Sequence, residues 1–357
     1  MNIPKTMKAV VAYGKNDYRF EPEYPVPECK AGDVLIKVEG CGVCAGDLKC
    51  MHGADMFWGG VNQPAYVQPP VIPGHEFLGR VVQTGANVKD ITVGDRVTAD
   101  QILPCWECRF CKKGQYWMCQ PHNIFGFQKE NNGGMAEYML LPAGSVMHKI
   151  PDDMLLSAAL LIEPYACSKH CVDRAQIQCD DIVVIAGAGP LGLGMVTYAR
   201  KKNPTKLIAL DLIDKRLEKA KAFGADIVLN PRNTDVNAKI MELTEGYGCD
   251  VYIEATGNPD SVVQGLTMIR KLGRFVEFSV FEAPTTVDWS IVGDRKELDV
   301  LGAHLSPYCF PYVVENMTNG SLKTDGILTS TFPIEKWEDA FEHATGKHGD
   351  IKVAIVF

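Results

Sequence analysis

Cys105, Cys108, Cys111 and Cys119 form a Cys-x2-Cys-x2-Cys-x7-Cys run, four soft thiolate donors within fifteen residues. Tetrahedral Zn2+ takes four such ligands at about 2.3 Å, which closes its coordination shell and leaves no place for a substrate. The run reads as a structural metal site. An iron–sulfur cluster uses similar donors, but no electron-transfer context accompanies them. A second set, Cys44 with the adjacent pair His75 and Glu76, offers a thiolate, an imidazole and a carboxylate from expected strand-end turns. Three protein donors and one exchangeable position are what a catalytic zinc requires, and such a metal is a Lewis acid that lowers the pKa of a coordinated hydroxyl. Cys29, Cys41, Cys50, Cys167, Cys171, Cys179, Cys249 and Cys309 lie outside both groups and read as small apolar or surface residues.

A third constellation is glycine-rich. The apolar run Ile182–Ala186 leads directly into Gly187-Ala188-Gly189-Pro190-Leu191-Gly192. A GxGxxG after a strand and opening a helix is a dinucleotide fingerprint. Gly187 permits the tight turn, Gly189 lets backbone approach the pyrophosphate and Gly192 allows close helix packing. Phosphate sits at the helix N-terminus, where free N–H groups favour anions. Asp211 ends the next strand, 24 residues after Gly187. A carboxylate there accepts hydrogen bonds from the adenosine-ribose hydroxyls and repels a 2′-phosphate, which favours NAD over NADP. Arg216 is a candidate adenosine-side contact and argues in the other direction. Thr256, Ser279 and Val280 end later strands and are candidates for the nicotinamide side.

These motifs need a scaffold. A chain of 357 residues suits two domains, and 46% hydrophobic with 22% charged residues is the composition of a soluble globular protein. The net charge of −8 supplies no positive field for phosphodiesters or anionic lipid, so nucleic acid is not an expected partner. Met1 to Val11 lacks a basic stretch followed by an apolar core, so a cytoplasmic, reducing location is expected, in which clustered cysteines bind metal. Ile182 to Ala199 carries no charge over 18 residues, but its glycines and Pro190 read as strand, turn and helix rather than a membrane span.

From Lys8 to about Pro151 the pattern predicts short strands, among them Val34–Val38, Phe77–Val82 and Arg96–Ala99, in a mostly β domain. After Glu163 apolar strands alternate with helical patterns: Ile182–Ala186, Leu207–Asp211, Ile227–Leu229, Val251–Glu254, Arg274–Phe278 and a sixth at Leu298–Gly302. Parallel strands need crossovers, so this part reads as a doubly wound sheet. The tail predicts helices near Tyr312–Thr318 and Ile334–His343 and a strand Lys352–Val356 that returns to the first domain. Residues 163–304 would then be a nucleotide-binding domain inserted between 1–162 and 305–357.

Gly42-Val43-Cys44-Ala45-Gly46-Asp47, Pro73-Gly74-His75-Glu76-Phe77, the four-cysteine run and the glycine fingerprint occur in the order found in the zinc-containing medium-chain dehydrogenases. Across almost its whole length the chain resembles that family. The resemblance implies an α/β chain with a GroES-like, mostly β catalytic domain and a Rossmann domain, two Zn2+ per chain, and a homodimer or homotetramer. It implies that Cys44 and His75 bind the catalytic zinc and that Asp47 orients the site. Glu163, where ethanol-type members carry cysteine, resembles the polyol and threonine dehydrogenase branch. In that branch Glu76 commonly ligates the metal, and Glu163 holds water at the metal or approaches it.

Two positions depart from the family pattern. Many relatives carry Ser or Thr at position 46 and His at 49, where this chain has Gly46 and Lys49, so the usual hydroxyl-to-histidine proton relay is in doubt. Glu163, zinc-bound water and substrate hydroxyls are the alternatives for carrying the proton, and His52 is a weaker one. The expected reaction is oxidation of a secondary hydroxyl of a small polyol to a ketose, as in the bacterial sugar-alcohol dehydrogenases that the chain resembles, including those acting on tetritols such as erythritol and threitol. L-Threonine 3-dehydrogenation is the nearest alternative reaction. A catalytically inactive NAD-binding sensor or structural protein is an alternative of another class. Trp58, Trp289 and Tyr308 are candidate pocket aromatics.

Overall fold

Short apolar runs bounded by turns build strands, and the first part of the chain is made mainly of these with a few short helices. Thr6–Gly14 (β1) and Asp17–Pro25 (β2) are followed by Val34–Val43 (β3), Ala45–Met51 (α1), a turn of helix at Asp55–Trp58 (α2), Glu76–Thr84 (β4), Arg96–Ala99 (β5) and Ile102–Leu103 (β6). A second turn of helix at Arg109–Lys112 (α3) precedes Asn123–Ile124 (β7), Tyr138–Leu141 (β8), Met147–Lys149 (β9), Leu156–Ala159 (α4) and Ile162–Ala175 (α5). An alternating series comes next: Ile182–Ala186 (β10), Pro190–Lys201 (α6), Lys206–Leu210 (β11), Asp214–Phe223 (α7), Ile227–Leu229 (β12), Val236–Leu243 (α8), Cys249–Glu254 (β13), Pro259–Met268 (α9), Ile269–Glu277 (β14) and Asp299–Gly302 (β15). Phe310–Thr318 (α10), Leu328–Pro333 (β16), Trp337–Ala344 (α11) and Lys352–Val356 (β17) complete it.

The computed structural model describes residues 3–61 and 64–357. It divides into two compact units, residues 1–163 with Phe310–Phe357, and Pro164–Cys309. In the first unit a seven-stranded sheet runs β16-β17-β3-β4-β5-β9, with β8 also paired to β3. Its core joins Val34, Ile36, Val38 and Cys41 of β3 to Phe77 and Val81 of β4, with Trp337 and Phe341 of α11. The last strand, β17, lies against β3 and pairs Val353 with Val43.

The second unit is a six-stranded sheet of order β12-β11-β10-β13-β14-β15, and every neighbouring pair is parallel. The strand order reverses beside β10, where such sheets open a ligand crevice at the carboxyl ends of the strands. Val184, Ile208 and Tyr252 pack against Val236 and Ile240 of α8 and Leu266 of α9. The alternate residues Val183, Ile185, Leu207, Ala209, Val251 and Ile253 are also fully buried. Both faces are therefore covered, which is why these strands are nearly continuous apolar runs. Asp181 anchors the base of the sheet by receiving both oxygens' worth of contact from Arg274, at 2.6 and 2.7 Å. The uncharged stretch 182–199 forms strand, turn and helix, and among the described residues no helix is long and apolar enough to cross a membrane.

The β10–α6 turn has no spare room. A Cβ on Gly192 would lie 1.8 Å from the Gly187 carbonyl oxygen, whereas one on Gly302 would meet nothing within 4 Å. Gly192→Ala is expected to lower stability by about 1–3 kcal/mol through overpacking. Gly302→Ala is expected to stay within about 0.5 kcal/mol of the parent. Denaturant unfolding of the two variants tests this; equal stabilities would contradict it.

Candidate active site

Cys44 caps the N-terminus of α1, directly after β3, and the turn is fixed by its own side chains. Asp47 Oδ2 accepts the Cys44 N–H at 2.9 Å, while Cys44 Sγ accepts the Gly46 N–H at 3.4 Å. His75 and Glu76 stand at the start of β4, and the ladder sets Gly42 opposite Glu76. One ligand atom from each of Cys44, His75 and Glu76 lies within 4.8 Å of the others. Asp47 also turns to this group: its Oδ1 faces His75 Nδ1 at 3.5 Å, and both atoms are buried without a hydrogen bond. Burial opposes protonation of His75, but Asp47 and Cys44 outweigh it and raise its pKa well above the ordinary imidazole value. Acceptor atoms of Asp47, Cys44 and Glu76 gathered around one imidazole favour a cation at this point. Soft sulfur, imidazole nitrogen and carboxylate oxygen together suit zinc, with Asp47 orienting the ring whose other nitrogen would face the metal. The donors fit the expected ion.

Two buried side chains that sequence reasoning passed over complete this group. Lys352 of β17, 3% exposed, places its ammonium against Glu76 and donates to the Val43 carbonyl at 3.1 Å. Burial pulls its pKa down, yet the charges of Glu76 and Cys44, and of Glu163, more than restore it. A single lysine within the apolar run Ile351–Val356 was the available signal, because a buried ammonium requires a partner. Gln101 Nε2 donates to Glu163 Oε1 at 2.6 Å, and no local pattern marked it. Glu163, 7% exposed in the first turn of α5, is not one of the three clustered donors; its charge acts on Lys352, which pairs with Glu76.

An aromatic wall stands beside His75. Phe127 lies 5.5 Å from its ring and stacks on Phe57 at 5.2 Å, with Tyr66 at 5.8 Å. Trp58 is adjacent in sequence and donates its indole N–H to the Cys50 carbonyl at 2.6 Å. Trp289 and Tyr308 belong to the second unit and are 71% and 66% exposed. His52 is exposed at the end of α1.

The second metal group gathers Cys105, Cys108, Cys111 and Cys119, again with ligand atoms within 4.8 Å. Backbone amides are aimed at the sulfurs. Glu107 and Cys108 donate to Cys105 Sγ at 3.5 and 3.3 Å, and Cys111 and Gln120 donate to Cys108 Sγ at 3.5 Å each. Those donors lower the Cys105 pKa and bring Cys108 to about 6, while burial pushes Cys111 to about 12. Closely spaced thiols with preformed N–H···S bonds are the donor set of a closed tetrahedral zinc site. Tyr116, inside this loop, joins it to the β5–β6 turn through a 2.5 Å bond to Asp100, which His148 Nε2 also meets at 2.7 Å.

In the second unit, Gly189 caps α6 and Pro190 and Leu191 open its first turn, leaving backbone N–H groups at the helix start. Asp211, at the end of β11, accepts the N–H groups of Ala188 and Ile213 at 2.8 and 2.9 Å, tying the glycine loop to that strand. A Cβ on Gly189 would be 4.0 Å from Arg216 Nη1, so the guanidinium borders the same loop. Thr256 donates its N–H at 2.9 Å and its hydroxyl to Glu254, and Ser279 donates to the Glu254 carbonyl at 3.4 Å. Val280 follows β14 by a few residues. These residues meet at the carboxyl ends of the strands.

A sheet built to hold a dinucleotide, carried with a thiolate-rich unit suited to zinc, defines a metal-dependent oxidoreductase. The chain belongs to the zinc-binding alcohol dehydrogenase family: residues 30–152 match the alcohol dehydrogenase GroES-like domain and residues 190–319 the zinc-binding dehydrogenase domain. It is 49% identical to an erythritol/L-threitol dehydrogenase of Mycolicibacterium smegmatis, over 99% of this chain and 98% of that one. An L-threonine 3-dehydrogenase of Pyrococcus abyssi is 34% identical over 97% of this chain and 96% of its own. Two solved structures share the fold over 99% of this chain and all of theirs at 28% identity. They are a zinc-binding dehydrogenase of Sinorhizobium meliloti bound to NADP, TM-score 0.88, and an alcohol dehydrogenase of E. coli with NADH, TM-score 0.87.

The two metal groups predict different losses. Cys44→Ser is expected to abolish turnover and lower bound zinc by one equivalent with little change in melting, whereas Cys111→Ser lowers the melting temperature. Metal analysis and thermal melts separate them, and equal melting would contradict the division of roles. Lys352→Met should cost about 3–5 kcal/mol of stability, because it strands the buried Glu76 charge. Adding Glu76→Gln to that variant should restore part of the loss in denaturant unfolding.

Proposed function

We propose that this enzyme oxidises a secondary hydroxyl of a small polyol, a tetritol such as erythritol or L-threitol, to a ketose, with NAD as hydride acceptor. The convergence of Cys44, His75 and Glu76 carries the chemistry of the reading. Cys44, His75 and Glu76 would hold the zinc, and Cys105, Cys108, Cys111 and Cys119 a second, structural one. Bound there, the catalytic ion supplies Lewis acidity to the substrate oxygen. Asp47 fixes the His75 ring, and Lys352 holds Glu76 in place. Glu163 takes the hydroxyl proton, since Gly46 and Lys49 leave out the usual relay. The hydride leaves separately from the carbinol carbon to nicotinamide C4.

Gly187, Gly189 and Gly192 with the start of α6 bind the pyrophosphate, and Asp211 disfavours a 2′-phosphate. Arg216 borders that loop and supports NADP. Thr256, Ser279 and Val280 would serve the nicotinamide half, and Trp58, Trp289 and Tyr308 the substrate pocket. The tetritol substrate follows the 49% identical relative, and Glu163 supports the polyol branch. L-Threonine is the second reading, supported by the 34% identical relative. The dehydrogenase relatives support a cytoplasmic homodimer or homotetramer, and the net charge of −8 gives no attraction to nucleic acid or anionic membrane.

Purified protein given NAD and a panel of C3 to C6 polyols, with L-threonine included, tests the substrate. NADH is expected with a tetritol at the highest kcat/KM. Highest kcat/KM with L-threonine would replace this reading, and no NADH from any alcohol would remove it. Comparing kcat/KM for NAD and NADP tests Asp211: a clear NADP preference would overturn the cofactor assignment.

A further inference from the structure

We propose that Gln101 is a positioning residue for the reaction, holding the Glu163 carboxylate in its working orientation. The proposal rests on the reading above that Glu163 takes the substrate hydroxyl proton beside the catalytic metal.

Gln101 is 1% exposed and Glu163 7%, so their 2.6 Å contact is sheltered from water. A buried carboxylate needs donors, and a hydrogen bond to an ionised group is roughly twice as strong as a neutral one. Nearby, the Lys352 ammonium acts on Glu163 as well as on Glu76. A carboxylate released by Gln101 would be drawn to that ammonium, in competition with Glu76. An amide is suited to prevent this: it donates to the carboxylate and carries no charge of its own.

Gln101 is itself held. Its carbonyl accepts the Phe125 N–H at 2.9 Å, and the preceding Asp100 donates its N–H to Val146 at 2.9 Å. The Asp100 carboxylate is clamped by Tyr116 at 2.5 Å and by His148 at 2.7 Å, and the His148 ring stacks on Phe310 at 4.9 Å. Tyr116 lies between Cys111 and Cys119, so the four-cysteine loop is fastened to the same turn that presents Gln101. A fixed backbone that presents a buried amide to Glu163 is what positioning requires.

The experiment uses full-length, zinc-loaded Gln101→Leu, Glu163→Gln and their double variant, with Gln101→Met in place of the leucine if that protein does not fold. Melting temperature, kcat, KM and the rate of zinc transfer to a chelator are measured for each. Gln101→Leu is expected to melt near the parent and to keep its KM for NAD. Its kcat should fall about 10- to 100-fold, with faster release of one of the two zinc ions. In the Glu163→Gln background the same substitution should add no further loss. A parental kcat and zinc release in Gln101→Leu, or losses that multiply in the double variant, would overturn the proposal. Parental kcat and zinc release in Glu163→Gln would instead overturn the underlying reading of Glu163.

Discussion

Three neighbouring strands meet where the chemistry is. Gly42 faces Glu76 across the β3–β4 ladder, and Val43 faces Val353 across the β3–β17 ladder. These pairings deliver Cys44, Glu76 and Lys352 to one spot from segments far apart in sequence. A slip of one residue would turn each strand's side chains to the opposite face and scatter them. Glycine at position 42 is part of the same constraint: a Cβ there would lie 2.1 Å from Glu76 Oε2 and 2.9 Å from Lys352 Cε. The gap left by that missing side chain is filled by the ion pair.

Charge explains why the pocket is stable only in company. Cys44, Asp47 and Glu76 set their acceptor atoms around one point, and Lys352 answers Glu76. A divalent cation at the clustered donors would complete the pairing. Buried charges are tolerated when paired, as Glu76 is with Lys352. The four-cysteine loop solves the same difficulty differently, with backbone N–H groups directed at its sulfurs. It draws on local chain geometry, whereas the catalytic group depends on sheet register.

That contrast decides what could be read from sequence. The four cysteines and the glycine turn were legible because their spacing is itself the structure. The strands of the second unit were legible because burial on both faces leaves apolar runs, and Ile182–Ala186 and Ile227–Leu229 have the expected bounds. β3 was expected to end at Val38 but continues to Val43, since pairing with β4 and β17 carries it through Glu39, Gly40 and Gly42. β14 begins at Ile269 rather than Arg274; Arg270, Lys271 and Gly273 conceal a strand that has an irregular step beside β13. Lys352 and Gln101 escaped because their importance lies in partners 276 and 62 residues away, distances that no local pattern encodes.

The late position of Lys352 also bears on the order of assembly. Its hydrogen bond to Val43 closes a span of 309 residues, so the catalytic pocket lacks its internal counter-charge until β17 has paired with β3. The four-cysteine loop needs only fifteen consecutive residues and can capture metal on the nascent polypeptide. The four-cysteine group can therefore close from local chain alone, whereas the catalytic group is complete only once β17 has docked against β3.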